Sequence, residues 1–290
     1  MEELCIFTPT FNRAYTLPAL YESLAAQTND SFYWLIVDDG STDETEALVD
    51  KLREDAPFSI EYFKQENAGK QIAHNVGVQH CRSELFVCVD SDDTIPPDMV
   101  ESILSLWEHK KNDPHIAGII GLCGSDALTP LYNGMPKSVD AVTMWDLYYK
   151  FKHRGDTALV HRTEVLRRFP FVIAPGEKFI GETFVYHQID QEYDLAVLDK
   201  VLIIREYLPD GYTKNVRKVT RENPVGYMTL KRMYVEYSDT LPLKYYQSIL
   251  YLVGCILSKT KHGVRNAPSP ILAALAYLPA KLLSLTEFQR

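Results

Sequence analysis

Two apolar segments of the sequence each end in a cluster of carboxylates. Leu85–Val89 leads directly into Asp90-Ser91-Asp92-Asp93, and Trp34–Val37 leads into Asp38-Asp39. Short runs of β-branched and aromatic residues that end in turn residues are typical of buried strands. Carboxylates this close repel one another unless they share a cation, and hard oxygen ligands favour Mg²⁺ or Mn²⁺ held against a phosphate-bearing substrate. The residues therefore predict a cation-assisted site for such a ligand.

The segments around these clusters alternate between strand and helix patterns. Strands are predicted at residues 4–8, 32–37, 60–63, 85–89 and 116–122. Helices are predicted at residues 17–27, 41–52, 70–78 and 98–110. This order predicts an α/β fold with a mostly parallel sheet, right-handed crossovers and helices on both faces. Ligands of such sheets bind outside the carboxyl ends of the strands, so both acidic clusters are expected in one crevice.

The second half of the chain is less regular and then becomes helical. After about residue 124 the pattern loosens, and residues 195–198 and 201–204 are predicted to form a hairpin across Asp199-Lys200. From Pro224 onward, helices are predicted at about 224–240, 243–258 and 269–285. The apolar runs Ile249–Leu257 and Ile271–Leu278 are shorter than the ~20 residues that span a bilayer. We predict a domain of residues 1–223 and a helical C-terminal region of residues 224–290.

The charges of the chain are distributed unevenly. Of the net −9, residues 1–204 contribute 17 Lys and Arg against 33 Asp and Glu, whereas residues 205–290 contribute 13 against 6, which gives −16 and +7. The basic tail is compatible with anionic lipid, an acidic partner, its own acidic body or a neighbouring subunit. We favour self-association through the C-terminal helices as a homo-oligomer, with a peripheral membrane contact as the alternative. No nucleic-acid partner is expected.

Cysteines, histidines and the N-terminus bear on the compartment. The five cysteines form no CxxC pair and the eight histidines show no metal-binding spacing, so free thiols and no zinc site are predicted. Met1 is followed by two glutamates rather than by a basic segment and a long apolar stretch. We therefore expect no signal peptide and a cytoplasmic location, with the inner membrane face as the peripheral alternative.

Four motifs in this order resemble the family 2 inverting glycosyltransferases of the GT-A fold. They are Thr8-Pro9-Thr10-Phe11-Asn12-Arg13, Val37-Asp38-Asp39-Gly40-Ser41-Thr42-Asp43, Asn67-Ala68-Gly69-Lys70 with Ala73-His74-Asn75-Val76-Gly77, and Asp90-Ser91-Asp92-Asp93. The resemblance is firm over about the first 100 residues and loose over residues 100–210. It implies a Rossmann-like GT-A sheet with a nucleotide-binding half of about 1–123 and an acceptor half of about 124–223. The C-terminal third hardly takes part in it.

The resemblance also implies an activity and a role for each matching residue. A sugar would move with inversion from a nucleotide diphosphate sugar, in the first place a UDP-sugar, to a hydroxyl on a glycan, glycolipid or glycoprotein. Asp90 and Asp92 are expected to form the DxD motif that binds Mn²⁺ or Mg²⁺, with Asp92 as the direct ligand, Asp90 nearer the ribose and Asp93 assisting. Asp39 is expected to accept the uracil N3–H. The other expected nucleotide contacts are the backbones of Thr8 and Pro9, the ring of Phe11 on the base, Asp38 in support of Asp39, and Lys70 near the base or diphosphate.

An inverting transfer also needs a general base for the acceptor hydroxyl. The family usually supplies an acidic pair at the start of a downstream helix, and this chain has Gly181-Glu182-Thr183-Phe184, in which Thr183 replaces the second acid. Glu182 is the expected base, with Glu177 and Asp156 in reserve. Structural roles stay open for four site residues: a turn carboxylate for Asp38, core packing for Phe11, a solvated helix start for Lys70, and a first-turn acid for Glu182.

Two other functions compete with this interpretation. Asp90-Ser91-Asp92-Asp93-Thr94 also fits the DxDx[TV] motif of haloacid-dehalogenase-like phosphatases, in which the first aspartate is the nucleophile. That reading leaves Asp38-Asp39 unexplained, and Gly155-Asp156 is not followed by the further acids of such enzymes. A catalytically inactive glycosyltransferase-like scaffold is the third option, which donor hydrolysis in the presence of Mn²⁺ would exclude.

Overall fold

The computed structural model describes residues 3–206 and 212–287. Its strands are β1 (Leu4–Thr10), β2 (Phe32–Asp38), β3 (Ser59–Lys64), β4 (Leu85–Cys88), β5 (Ile116–Gly124), β6 (Ala141–Val142), β7 (Thr157–Arg162) and β8 (Asp194–Ile204). Its helices are α1 (Leu17–Ala25), α2 (Thr45–Asp55), α3 (Lys70–His80), α4 (Met99–Lys110), α5 (Met144–Tyr149), α6 (Thr163–Arg168), α7 (Thr183–Ile189), α8 (Tyr212–Glu222), α9 (Pro224–Tyr237), α10 (Leu241–Leu257) and α11 (Pro270–Glu287). Most predicted elements are present, with bounds within a few residues of those expected.

The chain forms two compact units. The first comprises the described parts of Met1–Pro170 and Val185–Leu208, and the second those of Phe171–Phe184 and Pro209–Arg290. All eight strands lie in the first unit, and helices α8 to α11 lie in the second.

One mixed sheet organises the first unit. Its strand order is β3-β2-β1-β4-β7-β5-β8-β6. The pairs β1–β2, β1–β4, β2–β3 and β5–β8 are parallel, as predicted for an α/β fold. Strand β7 lies antiparallel between β4 and β5, which the sequence pattern did not indicate. Because β7 opposes both neighbours, β5 and β8 run in the same direction as β4. The carboxyl ends of β1 to β5 and β8 therefore share one edge of the sheet.

The core of the first unit has apolar side chains on both faces of the sheet. Strands β1 and β2 are buried along their whole lengths, which is typical of strands covered by helices on both sides. Leu4 and Ile6 belong to the same cluster as Leu20 of α1, whereas Phe7 packs edge-on against His74 of α3. Since side chains alternate along a strand, these contacts lie on opposite faces, as the sequence predicted.

The predicted hairpin across Asp199-Lys200 is wrong, because β8 is one continuous strand. Its pairing with β5 shifts register between the partners of Ile120 and Leu122, and such a shift absorbs extra residues in a bulge. The Asp199 carboxylate accepts the backbone N–H of Met135 at 2.8 Å, and Lys200 forms an ion pair with Asp98. The polar pair therefore marks a bulge with its own partners rather than a turn.

The second unit is built on a separate apolar cluster. Helices α9, α10 and α11 contribute side chains such as Val235, Val253 and Ala276, all nearly inaccessible to solvent. The segment 171–184 joins this unit through Glu177, whose two carboxylate oxygens accept the N–H groups of Val225 and Gly226 at the start of α9, at 2.7 and 2.8 Å. In the described ranges, no helix combines the length and the apolar content needed to cross a bilayer.

Candidate functional site

The candidate site lies at the carboxyl edge of the sheet in the first unit. Asp90 follows β4, and the loop after it is tied to the end of β8. Thr94 N–H donates to the Ile204 carbonyl at 3.1 Å, and Ile204 N–H donates back to the Thr94 carbonyl at 2.8 Å. This exchange brings Arg205, the residue after β8, to the acidic loop at residues 90–93.

Asp90 is held between two cations. Its Oδ1 lies 2.6 Å from Nζ of Lys70, the first residue of α3. Its Oδ2 accepts from Nη1 of Arg205 at 3.1 Å, and the same nitrogen lies 3.0 Å from Oδ2 of Asp93. Burial raises the pKa of Asp90, but the charges of Lys70 and Arg205 more than offset this and lower it to about 2. Asp90 is therefore ionised at neutral pH, and both of its oxygens have partners.

The other two carboxylates of the loop are less well compensated. Burial raises the pKa of Asp93 to about 7, with Arg205 opposing the rise and the carboxylates of Asp90 and Asp92 adding to it. Burial and the charge of Asp90 also raise the pKa of Asp92. The half-buried Asp92 side chain makes no ion pair within the described part of the chain. The loop thus carries excess negative charge, and Asp92 is its carboxylate without an ion pair, although the charges of Arg13 and Lys70 oppose the rise of its pKa.

Asp39 is fixed in the loop after β2 by three donors. Its Oδ1 accepts the Ala68 N–H at 2.8 Å and the side-chain amide of Gln65 at 2.7 Å, and its Oδ2 accepts the Gly69 N–H at 2.8 Å. A carboxylate oxygen has two acceptor sites, so Oδ2 keeps one for a further donor. Gly40 allows this packing, because its φ is +84° and a Cβ there would lie 3.0 Å from the backbone nitrogen of Asn67.

Asp38 has a structural part in the same loop. Its side chain is fully buried and accepts the Ser41 N–H at 2.7 Å and the Tyr62 hydroxyl at 2.6 Å. These bonds hold the turn that follows β2, which agrees with the turn-carboxylate alternative and with support of Asp39 through the loop.

The residues at the end of β1 divide into buried and exposed positions. Thr8 is fully buried and its Oγ1 accepts from the indole nitrogen of Trp34 at 2.9 Å, and Pro9 is buried as well. Phe11 is 46% exposed, so core packing does not explain it, and its ring is accessible to a ligand. Lys70 contacts Asp90 rather than solvent alone, which removes the solvated-lysine alternative.

The acidic loop suits a divalent cation completed by a substrate. Within residues 3–206 and 212–287, no three or more His, Cys, Asp or Glu side chains form a group that could hold a metal ion. Mg²⁺ in nucleotide sites keeps several waters and uses one or two carboxylates with the substrate phosphates, so such a cage is not required. The hard oxygens and the excess charge at Asp92 fit this kind of ion.

The three candidate bases have different surroundings. Glu182 is half-buried directly before α7 and belongs to the second unit. Next to it, Thr183 accepts the Tyr234 hydroxyl at 2.7 Å, so the residue that replaces the family's second acid is part of the packing of that unit. Both oxygens of Glu177 cap α9, which favours a structural role for it. Asp156 is exposed directly before β7.

Two residues of the site were not identified from the sequence. Arg205 was missed because a hairpin reverses the chain, and the predicted hairpin gave no reason to place residue 205 at the carboxyl edge. Asn12 was quoted only as part of a motif. It has a φ of +53°, its N–H donates to Ser41 Oγ at 2.8 Å, and its Oδ1 accepts the Thr42 N–H at 2.8 Å. The sequence did offer one signal for each: Arg205 is a basic residue directly after an apolar run, and Asn12 is an asparagine in a turn.

Comparisons of the sequence identify relatives among glycosyltransferases. A family model described as Glycosyl transferase family 2 matches residues 5–170. An uncharacterised glycosyltransferase of Rickettsia felis is 32% identical over 106 residues, which are 37% of this chain and only 17% of that protein. GalNAc(5)-diNAcBac-PP-undecaprenol beta-1,3-glucosyltransferase of Campylobacter jejuni is 23% identical over an alignment of 307 positions. The alignment covers 98% of this chain and 96% of that protein.

Solved structures share the fold at low sequence identity. TarS of S. aureus in complex with UDP-GlcNAc has a TM-score of 0.53 at 19% identity, covering 96% of this chain and 79% of that one. Mannosyltransferase PcManGT of Pyrobaculum calidifontis in complex with GDP-Man and Mn²⁺ has a TM-score of 0.58 at 17% identity, covering 99% and 82%. These likenesses confirm the predicted GT-A type of α/β fold with C-terminal helices.

Proposed function

The chain belongs to glycosyl transferase family 2 and is a glycosyltransferase, and we propose that it moves a sugar, with inversion, from a UDP-sugar to an acceptor hydroxyl. The observation that carries this proposal is the loop at residues 90–93 at the carboxyl edge of the sheet, where Asp90 and Asp93 are paired with Lys70 and Arg205 and Asp92 has no ion pair among the described residues. Such an edge is where α/β sheets bind nucleotide ligands.

We propose Mn²⁺ or Mg²⁺ as the cofactor, held by Asp92 with Asp90 nearby. The bound ion would act as a Lewis acid on the departing diphosphate. The chain's own cations add to this, because Lys70 and Arg205 place positive charge beside Asp90 where a diphosphate would arrive. The Mn²⁺ in the complex of PcManGT supports the choice of ion.

The donor contacts follow from the loops after β1 and β2. We propose that Phe11 stacks on the uracil and that the remaining acceptor site of Asp39 takes its N3–H, while Thr8 and Pro9 contribute backbone groups and Asp38 holds the loop. The complex of TarS with UDP-GlcNAc supports a uridine donor. The name of the Campylobacter jejuni enzyme supports a lipid-linked glycan as the acceptor, and other glycans or a glycoprotein remain within the proposal.

Glu182 is the proposed general base. A carboxylate can accept the proton of the acceptor hydroxyl as the hydroxyl oxygen attacks the sugar. The transferred proton then neutralises the charge of the carboxylate. Glu177 is a weaker choice because its oxygens hold the start of α9.

A phosphatase with Asp90 as nucleophile lacks support from the site. A nucleophilic carboxylate needs a free oxygen directed at the phosphorus, whereas Oδ1 of Asp90 is paired with Lys70 and Oδ2 with Arg205. An inactive scaffold is excluded if the protein turns over a donor.

The test is Asp92→Ala, with Asp55→Ala at the exposed end of α2 as the matched control. We expect Asp92→Ala to abolish transfer and to weaken binding of UDP with Mn²⁺ by isothermal titration calorimetry, while Asp55→Ala binds as the wild type does. Full activity of Asp92→Ala, or of the wild type in EDTA, would contradict the proposal. The domain boundary at residue 223, self-association and a cytoplasmic location stay predictions.

A further inference from the structure

Helix α11 has one face that packs against its own unit and one that does not. Ala273, Ala276 and Ala280 are fully buried and belong to the core cluster shared with α10. The opposite face carries five large apolar side chains, with exposed fractions of 78% for Ile271, 65% for Leu275, 75% for Leu278, 68% for Leu282 and 47% for Leu285. A continuous apolar stripe of this kind on a solvent-exposed surface marks an interaction site.

The spacing of the stripe makes it a single surface. Its members follow one another at intervals of four, three, four and three residues, which places them on one side of an α-helix. The 18 residues of α11 correspond to a length of about 27 Å. The helix therefore presents this apolar stripe along its whole length. Its small alanines, rather than the five large apolar residues, pack against α10.

The surroundings of this stripe are basic. From Thr240 to Thr286 the sequence contains no Asp or Glu and five Lys or Arg. Lys259, Lys261 and Arg265 are exposed in the segment before α11, and Lys281 is exposed within the helix. None of these four pairs with a carboxylate among the described residues. The charge complement of this surface is therefore an anionic partner.

A second copy of the chain matches the surface poorly. Intervals of four and three are also those of a coiled-coil seam, but such seams carry paired acidic and basic residues beside the apolar positions. Here two copies would bring Lys281 and the basic residues before α11 of one chain close to those of the other, and these like charges would repel. Pro279 also lies inside the helix, and a proline removes a backbone hydrogen bond and interrupts the regular geometry of a helical seam.

We propose that α11 binds to the surface of an anionic lipid bilayer, with Ile271, Leu275, Leu278, Leu282 and Leu285 inserted at the interface. Lys259, Lys261 and Arg265 contact the lipid headgroups. Amphipathic helices with an apolar face and basic residues beside it lie in the membrane plane in this way. The inference stands on this surface alone and does not depend on the identity of the donor or the acceptor.

The test is flotation of the full-length protein with two kinds of vesicles, phosphatidylcholine alone and equal parts of phosphatidylcholine and phosphatidylglycerol. We expect binding to the anionic vesicles, weaker binding to the neutral ones, and a decrease with added salt. Leu275→Glu combined with Leu282→Glu should reduce binding at least about tenfold for each leucine. The matched control is Leu128→Glu, which changes a still more exposed leucine in the first unit (91%) and should bind like the wild type.

Charge is tested separately. Lys261→Glu combined with Arg265→Glu should weaken binding by at least about fivefold for each reversed charge, and Lys51→Glu combined with Lys137→Glu, both exposed in the first unit, should not. Because all these positions are exposed, circular dichroism should show unchanged folding. Equal binding to both vesicle types would overturn the proposal. The proposal would also be overturned if the wild type bound no vesicles and formed a dimer that the Leu275→Glu, Leu282→Glu variant did not form.

Discussion

Lys70 and Arg205 give the three carboxylates of the acidic loop different properties. Both oxygens of Asp90 are paired with these cations, and Arg205 also contacts Asp93, whereas Asp92 has no ion pair among the described residues. The ion pairs leave one carboxylate for a divalent cation and keep the other two in place. A metal site can therefore exist here without a cluster of three free acids, provided that the substrate supplies the remaining ligands.

Arg205→Met should destabilise the first unit by about 1–3 kcal/mol, because it leaves Asp90 and the nearly inaccessible Asp93 without their shared counter-charge. Urea unfolding measures the loss. The loss should shrink as the pH falls towards about 7, the pKa of Asp93 beside Arg205, because without the arginine the Asp93 carboxyl takes up its proton at higher pH and a protonated carboxyl needs no cation. Arg168→Met is the control, because its pair with Glu192 is exposed and should contribute less than about 1 kcal/mol. Equal losses for the two variants would contradict this role of Arg205.

Glu182→Gln should separate the chemical step from donor binding. The amide keeps the shape of the side chain but cannot accept the acceptor's proton, so turnover should fall by about 10²–10⁴-fold with little change in UDP affinity. Transfer assays and calorimetry on the same preparation measure the two quantities. For comparison, Glu177→Gln should lower stability through the start of α9 and leave turnover of the folded protein nearly unchanged. If Glu177→Gln or Asp156→Asn shows the loss of turnover instead, the base is that residue.

At the scale of elements, the sequence predicted the regular βα part and failed where partners are distant. Strands β1 to β5 follow from local patterns, because each is an apolar run bounded by turn residues. The position of β7 between β4 and β5 could not be predicted, since pairing of residues 160–162 with residues 85–87 leaves no local trace. The same holds for Arg205, whose contact with Asp90 depends on the bridge between Thr94 and Ile204.

Strand β7 also carries a buried histidine that should make folding sensitive to pH. Burial lowers the pKa of His161 to about 3 from 6.5, so the folded state stays neutral where the unfolded chain takes up a proton. The stability is fully present above pH 6.5 and is lost as the pH falls towards 3, by up to about 4 kcal/mol. His161→Phe should reduce this slope in urea unfolding. Burial also lowers the pKa of His74 to about 3, so the variant should keep the part of the pH dependence that is due to His74.

The control for this prediction is His109→Phe, which changes an exposed histidine of α4 and should leave the slope unchanged. His161 stacks on Tyr186 at 5.2 Å between ring centroids, and phenylalanine can keep this contact. An unaltered slope for His161→Phe in a folded variant would show that the acid sensitivity arises from other groups.

At the scale of the whole molecule, two apolar cores divide the tasks proposed here. The first core supports the strands that end at the acidic loop, and the second supports the helices of the basic C-terminal region. The charge distribution follows a similar division, with −16 over residues 1–204 and +7 over residues 205–290. Donor binding in the first unit and lipid binding in the second would then use surfaces of opposite charge.

Calorimetry should show this division as two thermal transitions, only one of which responds to the donor. UDP with Mn²⁺ at about 100 times its Kd stabilises the state that binds it by about 2.7 kcal/mol, which corresponds to roughly 5–10 °C for a unit of this size. Val87→Ala and Val253→Ala remove the same groups from fully buried positions of the two cores, and each should lower its own transition. UDP should raise the transition that Val87→Ala lowers. If both transitions shift together, or only one is present, the units unfold as a single body and the division is wrong.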